Sequence, residues 1–254
     1  MGTTLYRKKV KAKGVLTLYI HSQLTMSLIL QIETATTVCS VALAENGNVL
    51  SYKEIGQRNI HAEAITIFID EILKQAGKNY HNLDAVAVSS GPGSYTGLRI
   101  GVSVAKGLCF ALDKPLIAIE TLEAMADGML AQDTIIDKGT LLCPMIDARR
   151  MEVFTAVFDA NGNRIKPTSA EIIDEGSFDE LLQINKIIFF GDGAEKCAGV
   201  LGPNGNAHVI ADFTNSARYL TKKALEKYLV GDFEDTAYFE PYYLKDFIAG
   251  KKAN

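Results

Sequence analysis

From Leu28 onward the chain alternates short apolar runs with turn residues, in an order that predicts strands before helices. Leu28 to Glu33 is an apolar run closed by an acid, Val38–Ala44 is a second, and Asn46-Gly47-Asn48 makes a hairpin turn into a third over 49–55. Between His61 and Gln75 the apolar residues change period. Ile65, Phe68, Ile69, Ile72 and Leu73 repeat at helical spacing, and Gly77 ends the element. Asp84–Ser89 predicts a strand, Gly91-Pro92-Gly93 a break and Ser94–Leu112 a helix. Pro115–Ile119 predicts a further strand, with Thr121 as N-cap of a helix of about ten residues.

The same order then starts again. Leu141–Ile146 is an apolar run closed by Asp147, Met151–Asp159 is a second strand, and Asn161-Gly162-Asn163 repeats the turn. Later, Lys186–Phe190 runs into Gly191-Asp192-Gly193 just as the earlier strand runs into Gly91-Pro92-Gly93. Two landmarks matched in order point to an internal duplication. A duplicated βββαβα unit, with an acid ending the first strand of each copy, resembles the α/β architecture of the actin-like and Hsp70-like ATPases. The expected organisation is a basic extension over 1–25, an N-terminal subdomain over 26–137 and a C-terminal subdomain over 138–254.

The chain has 254 residues, 48% of them hydrophobic, enough for one large or two small cores. No apolar run approaches the ~20 residues of a membrane-spanning helix, so a cytoplasmic protein is expected. Cys39, Cys109, Cys143 and Cys197 lie far apart among apolar neighbours and form no paired motif, which predicts reduced core residues. Arg7, Lys8, Lys9, Lys11 and Lys13 open the chain without an acid, so the rest is more acidic than the net charge of −4. Such a body is a poor nucleic-acid binder by itself. Met26, directly before the first clean strand, is a candidate start.

Gly91 to Gly101 is the most informative segment. It is neither a P-loop nor a dinucleotide fingerprint, since the glycine spacing fits neither. Glycine at 93, 97 and 101 followed by Ala105 instead aligns small residues on one helix face. Glycine inside a helix costs about 1 kcal/mol relative to alanine, so a close backbone approach is expected at that face. Packing inside the monomer and packing against a second subunit both satisfy it. The turn also places Gly91, Gly93, Ser94 and Thr96 at a helix N-terminus, an arrangement able to meet an anion or nucleotide.

Three segments, Ile32-Glu33-Thr34-Ala35-Thr36, Gly91 to Gly101 and Asp147-Ala148-Arg149-Arg150-Met151-Glu152-Val153, together resemble the TsaB/YeaZ family. Glu240-Pro241-Tyr242-Tyr243-Leu244-Lys245 is similar to that family's ending, so the likeness runs from residue 26 to about 247. The resemblance implies a non-catalytic paralogue of TsaD, the subunit that transfers threonylcarbamoyl to adenosine 37 of tRNAs reading codons that begin with A. It implies pairing with a TsaD-like subunit through the first two helices, a TsaE-like ATPase as a further partner, and contact with tRNA only through the complex. The expected interface residues are Ile65, Phe68, Ile69, Gly97, Gly101 and Ala105. The same face would also permit a homodimer, and the sequence leaves monomer and homodimer both open for the chain alone. No cofactor of its own is implied, though ATP or ADP at the shared interface is.

Catalytic relatives hold a metal through two histidines at i and i+4 on the first helix. Here His61 is followed at that position by Ile65, so no metal site is expected and His61 reads as a capping or surface residue. Glu33 and Asp147 stand where kinases and ATPases of this fold orient magnesium or water. An independent ATPase or small-molecule kinase is therefore the alternative function, and a simple Asp147–Arg149 pair across the hairpin is the plainer account of those residues.

Overall fold

The computed structural model describes residues 26–57, 60–132 and 136–245, so the basic extension expected over 1–25 lies outside the described residues. The first half comprises β1 (Leu28–Glu33), β2 (Val38–Glu45), β3 (Asn48–Gly56), α1 (His61–Gln75), β4 (Ala85–Gly91), α2 (Tyr95–Leu112), β5 (Leu116–Glu120) and α3 (Thr121–Leu130). Its sheet has the order β3-β2-β1-β4-β5, with β1 antiparallel to β2 and parallel to β4. All six residues of β1 are buried, which is why it reads as a continuous run rather than an alternation. Leu28, Leu30 and Ile32 face α1 and α2, while Ile29 faces the other layer. The β2–β3 hairpin turns on Asn46 and Gly47 at φ 52° and 78°, the left-handed pair that a two-residue turn requires.

The second half repeats the plan with β6 (Thr140–Asp147), β7 (Glu152–Phe158), β8 (Arg164–Ile172), α4 (Asp179–Leu182), β9 (Lys186–Phe190), α5 (Ala198–Leu201) and β10 (Ala207–Ile210). Its sheet order, β10-β9-β6-β7-β8, is that of the first sheet read from the opposite edge. The fold is the duplicated actin-like α/β architecture. The copies differ in their helices: α4 and α5 have 4 residues each, where α1 and α2 have 15 and 18.

The boundary at 137/138 divides the sheets but not the helices. In α3, Leu122, Met125 and Met129 pack with Leu142, Ile146 and Phe158 of the second sheet. The last helix, α6 (Thr221–Val230), returns to the first: its Ala224 packs with Ile29, Ala85 and Ile117. Thr121 is the first residue of α3 rather than its cap, which is Glu120. The Thr121 hydroxyl accepts the Gly91 N–H at 3.2 Å instead. All four cysteines are buried and free, and burial pushes Cys39 up to about 11 and Cys109 and Cys143 up to about 12.

Candidate functional site

Two places are candidates for a site, the glycine turn and the outer face of α1 and α2. The glycine turn is packed from within. A Cβ on Gly93 would overlap the Ala35 carbonyl oxygen, one on Gly97 the Thr34 carbonyl oxygen, and one on Gly101 the Thr34 hydroxyl. Ala105 is fully buried. The ridge therefore closes on the β1–β2 turn of its own chain, and Thr34 donates its hydroxyl to the Gly97 carbonyl at 2.8 Å. This corrects the expectation that Gly97, Gly101 and Ala105 face a partner. Ile65, Phe68 and Ile69 are corrected with them, since all three lie in the core under α1.

Part of the glycine turn is likewise satisfied within the chain. Gly91 N–H is taken by Thr121, Ser94 N–H by the Ala35 carbonyl at 2.7 Å, and Gly97 N–H by the Ser94 hydroxyl at 3.3 Å. Gly91 itself, at φ 113°, faces the backbone of Tyr242, whose N–H bonds to the Ser90 carbonyl at 2.7 Å. The chain's own tail thus lies where a ligand would approach Gly91. Of the four residues, Ser94 and Thr96 remain exposed.

That tail forms a strap. Lys106 donates to the carbonyls of Ala237 and Phe239 at 3.2 and 2.9 Å, and Tyr243 stacks on Tyr95 with ring centres 4.9 Å apart. Leu244 then packs on the second core, and Lys245 pairs with Glu152. The strap thus touches both halves of the chain.

Glu33 is fully buried at the end of β1. One carboxyl oxygen accepts the Ala35 N–H at 2.6 Å. Ser89 and Asn215 stand beside the group, yet its other oxygen, the Ser89 hydroxyl and the Asn215 amide nitrogen have no partner in bonding geometry. Burial pushes the Glu33 carboxyl up to about 7, outweighing those neighbouring donors. Its counterpart Asp147 is exposed and paired with Lys196, so duplication of position has not preserved environment. Arg149 meets Asp147 only through its backbone N–H, at 2.9 Å, which replaces the side-chain pair expected across the hairpin.

His61 is neither cap nor surface. It is buried, and its Nε2 lies 3.1 and 3.2 Å from the carbonyls of Thr36 and Val38. Since carbonyls only accept, Nε2 carries the proton, and the ring ties α1 to the β1–β2 turn. Among the described residues no cluster of His, Cys, Asp and Glu is arranged to hold a metal ion.

The exposed face of α1 and α2 includes Ile67 and Phe110, which the sequence reading did not name. Ile67 is 55% exposed and Phe110 is 87% exposed. Gly107 has open space where its Cβ would stand, so nothing within the chain repays its cost to the helix. Ser103 and Ala111, one turn to either side, are also exposed. The signal was available, because Gly107 and Phe110 fall off the buried period, but the Gly93–Ala105 spacing masked it.

Comparison with known proteins adds the family. A family model described as TsaD, tRNA N6-adenosine threonylcarbamoyltransferase, matches residues 49–228. The tRNA threonylcarbamoyladenosine biosynthesis protein TsaB of Escherichia coli (strain K12) is 30% identical over 234 residues, covering 88% of this chain and 97% of that one. The chain belongs to the TsaB/YeaZ family. TsaB of Haemophilus influenzae is 39% identical over 126 residues, about half of each chain. The structure of YeaZ from Pseudomonas aeruginosa superposes with a TM-score of 0.71 at 25% identity, covering 86% of this chain and 100% of that one. A tRNA N6-adenosine threonylcarbamoyltransferase of Staphylococcus saprophyticus is 40% identical over 110 residues but is covered for only 32% of its length. TsaB-family and TsaD sequences thus share part of this fold. No helix among the described residues is long and apolar enough to cross a membrane.

Proposed function

We propose that the chain is a non-catalytic subunit of the complex that forms threonylcarbamoyladenosine at position 37 of tRNAs reading codons beginning with A. It docks on a TsaD-like catalytic subunit through the outer face of α1 and α2 and activates it there, and a TsaE-like ATPase joins the assembly. The observation that carries this reading is the exposed Phe110 beside Gly107, an apolar side chain and an uncompensated helix glycine on one face. A large apolar residue left in water, next to a position open to close backbone approach, fits a helix that meets another helix. Membership of the TsaB/YeaZ family supports the choice of partner.

The absence of catalysis is supported by His61, whose Nε2 is engaged by two backbone carbonyls, and by Ile65 one turn on. Any ATP or ADP sits at the joint interface, and the amides of Gly91, Ser94 and Gly97, already bonded within the chain, are not offered to it. When alone, the chain pairs with a second copy through the same face.

The test is to co-purify the chain with its host's TsaD-like protein and assay threonylcarbamoyl transfer to unmodified tRNA. Phe110→Ser is expected to abolish the complex and its activity without lowering stability. An unchanged complex, or magnesium-dependent ATP turnover by the isolated chain, would overturn the reading.

A further inference from the structure

The β6–β7 turn carries two arginines that the helix interface does not use. Arg149 and Arg150 are both exposed and both left-handed, at φ 72° and 48°. Consecutive non-glycine residues in that region are uncommon, and such backbone persists where the surrounding structure fixes it. Here the hairpin fixes it: Glu152 N–H bonds to the Arg149 carbonyl at 3.0 Å and Ala148 N–H to the Glu152 carbonyl at 3.1 Å. Two guanidiniums are thus presented at a closed tip.

Their charges are not spent within the chain. Elsewhere Arg164 pairs with Glu120, Arg218 with Glu54, and Arg99 lies over the Tyr95 ring. Among the described residues neither Arg149 nor Arg150 has an ion pair. The acids nearest in sequence have cations of their own, Asp147 in Lys196 and Glu152 in Lys245. Asp192 accepts the Asp147 N–H at 3.0 Å and also lies in the field of Lys196. The tip therefore keeps surplus positive charge on a body that is otherwise acidic.

We propose that this tip contacts the phosphodiester backbone of the tRNA while the complex holds it, an inference that rests on the family reading above. A guanidinium matches phosphate oxygens in a two-pronged geometry, and a strand of RNA offers them in succession to adjacent arginines. The contact adds affinity without reading sequence. It operates only in the assembly, since the acidic remainder repels RNA from the chain alone.

The test uses the complex with its TsaD-like subunit, unmodified transcript tRNA, and the double variant Arg149→Gly/Arg150→Gly. Glycine accepts positive φ freely, so the change removes charge while the turn is kept. Binding measured by anisotropy across salt concentrations is expected to weaken about tenfold, with the slope of log K on log salt falling by about one to two. Arg149→Lys/Arg150→Lys should restore most of the slope. Unchanged RNA affinity and slope overturn the proposal. A variant that loses its protein partner instead assigns the tip to an acidic protein surface, and also overturns it. The Phe110→Ser result is independent of both, so a failure here leaves the helix interface standing.

Discussion

Replacing Glu33 by Gln should remove a pH dependence from the stability of the chain. Glu33 has a carboxyl pushed up from 4.5 to about 7 because burial removes its hydration. Below pH 4.5 the folded and unfolded chains both hold the proton, so nothing is lost. As pH rises the unfolded chain releases it while the folded one does not, and stability falls until the folded group ionises near pH 7. At about 1.36 kcal/mol per unit, the loss is about 3 kcal/mol over that window and constant above it. A Gln at 33 keeps an oxygen for the Ala35 N–H and gives its amide the Ser89 hydroxyl as acceptor. Urea unfolding of both chains at pH 5, 6, 7 and 8 isolates the term, since every other carboxylate is common to the two. The variant should gain on the parent by about 1 kcal/mol per pH unit up to pH 7. Parallel curves would refute the reasoning, because they would mean that the donors around Glu33 keep it ionised despite its burial.

The packing sets four further outcomes. Gly97→Ala should destabilise the chain by about 2 kcal/mol or more, since its Cβ meets the Thr34 carbonyl, whereas Gly107→Ala should stabilise the isolated chain by about 0.5–1 kcal/mol; thermal melts of the two decide it. Gly107→Leu should raise the melt much as alanine does, since leucine is also a good helix former, yet weaken co-purification of the TsaD-like subunit. His61→Ala should cost about 1–3 kcal/mol by freeing the carbonyls of Thr36 and Val38, read as a lower urea midpoint with unaltered slope.

Much of the fold can be read along the chain because β1 and β6 are buried on both faces and announce themselves as apolar runs closed by acids. The 61–75 helix is legible for a similar reason, its apolar period being strong from His61 to Gln75. The site is less legible. Glycines at 93, 97 and 101 announce close approach to a backbone but not whose backbone, and only the Thr34–Ala35 turn in space answers that. The surroundings of Glu33 are equally hidden, since Asn215 reaches it from 182 positions away in the sequence. The strap escapes local pattern altogether, as Tyr242 and Lys245 have meaning only through Ser90 and Glu152.

The strap also fixes an order of assembly. Phe239 seats on the first core and Leu244 on the second, and both are synthesised after every strand of the two sheets. Until those residues are made, this tie between the two cores is missing. A chain without the strap leaves Gly91 without its Tyr242 cover, and the final dozen described residues act as a clasp fastened from outside.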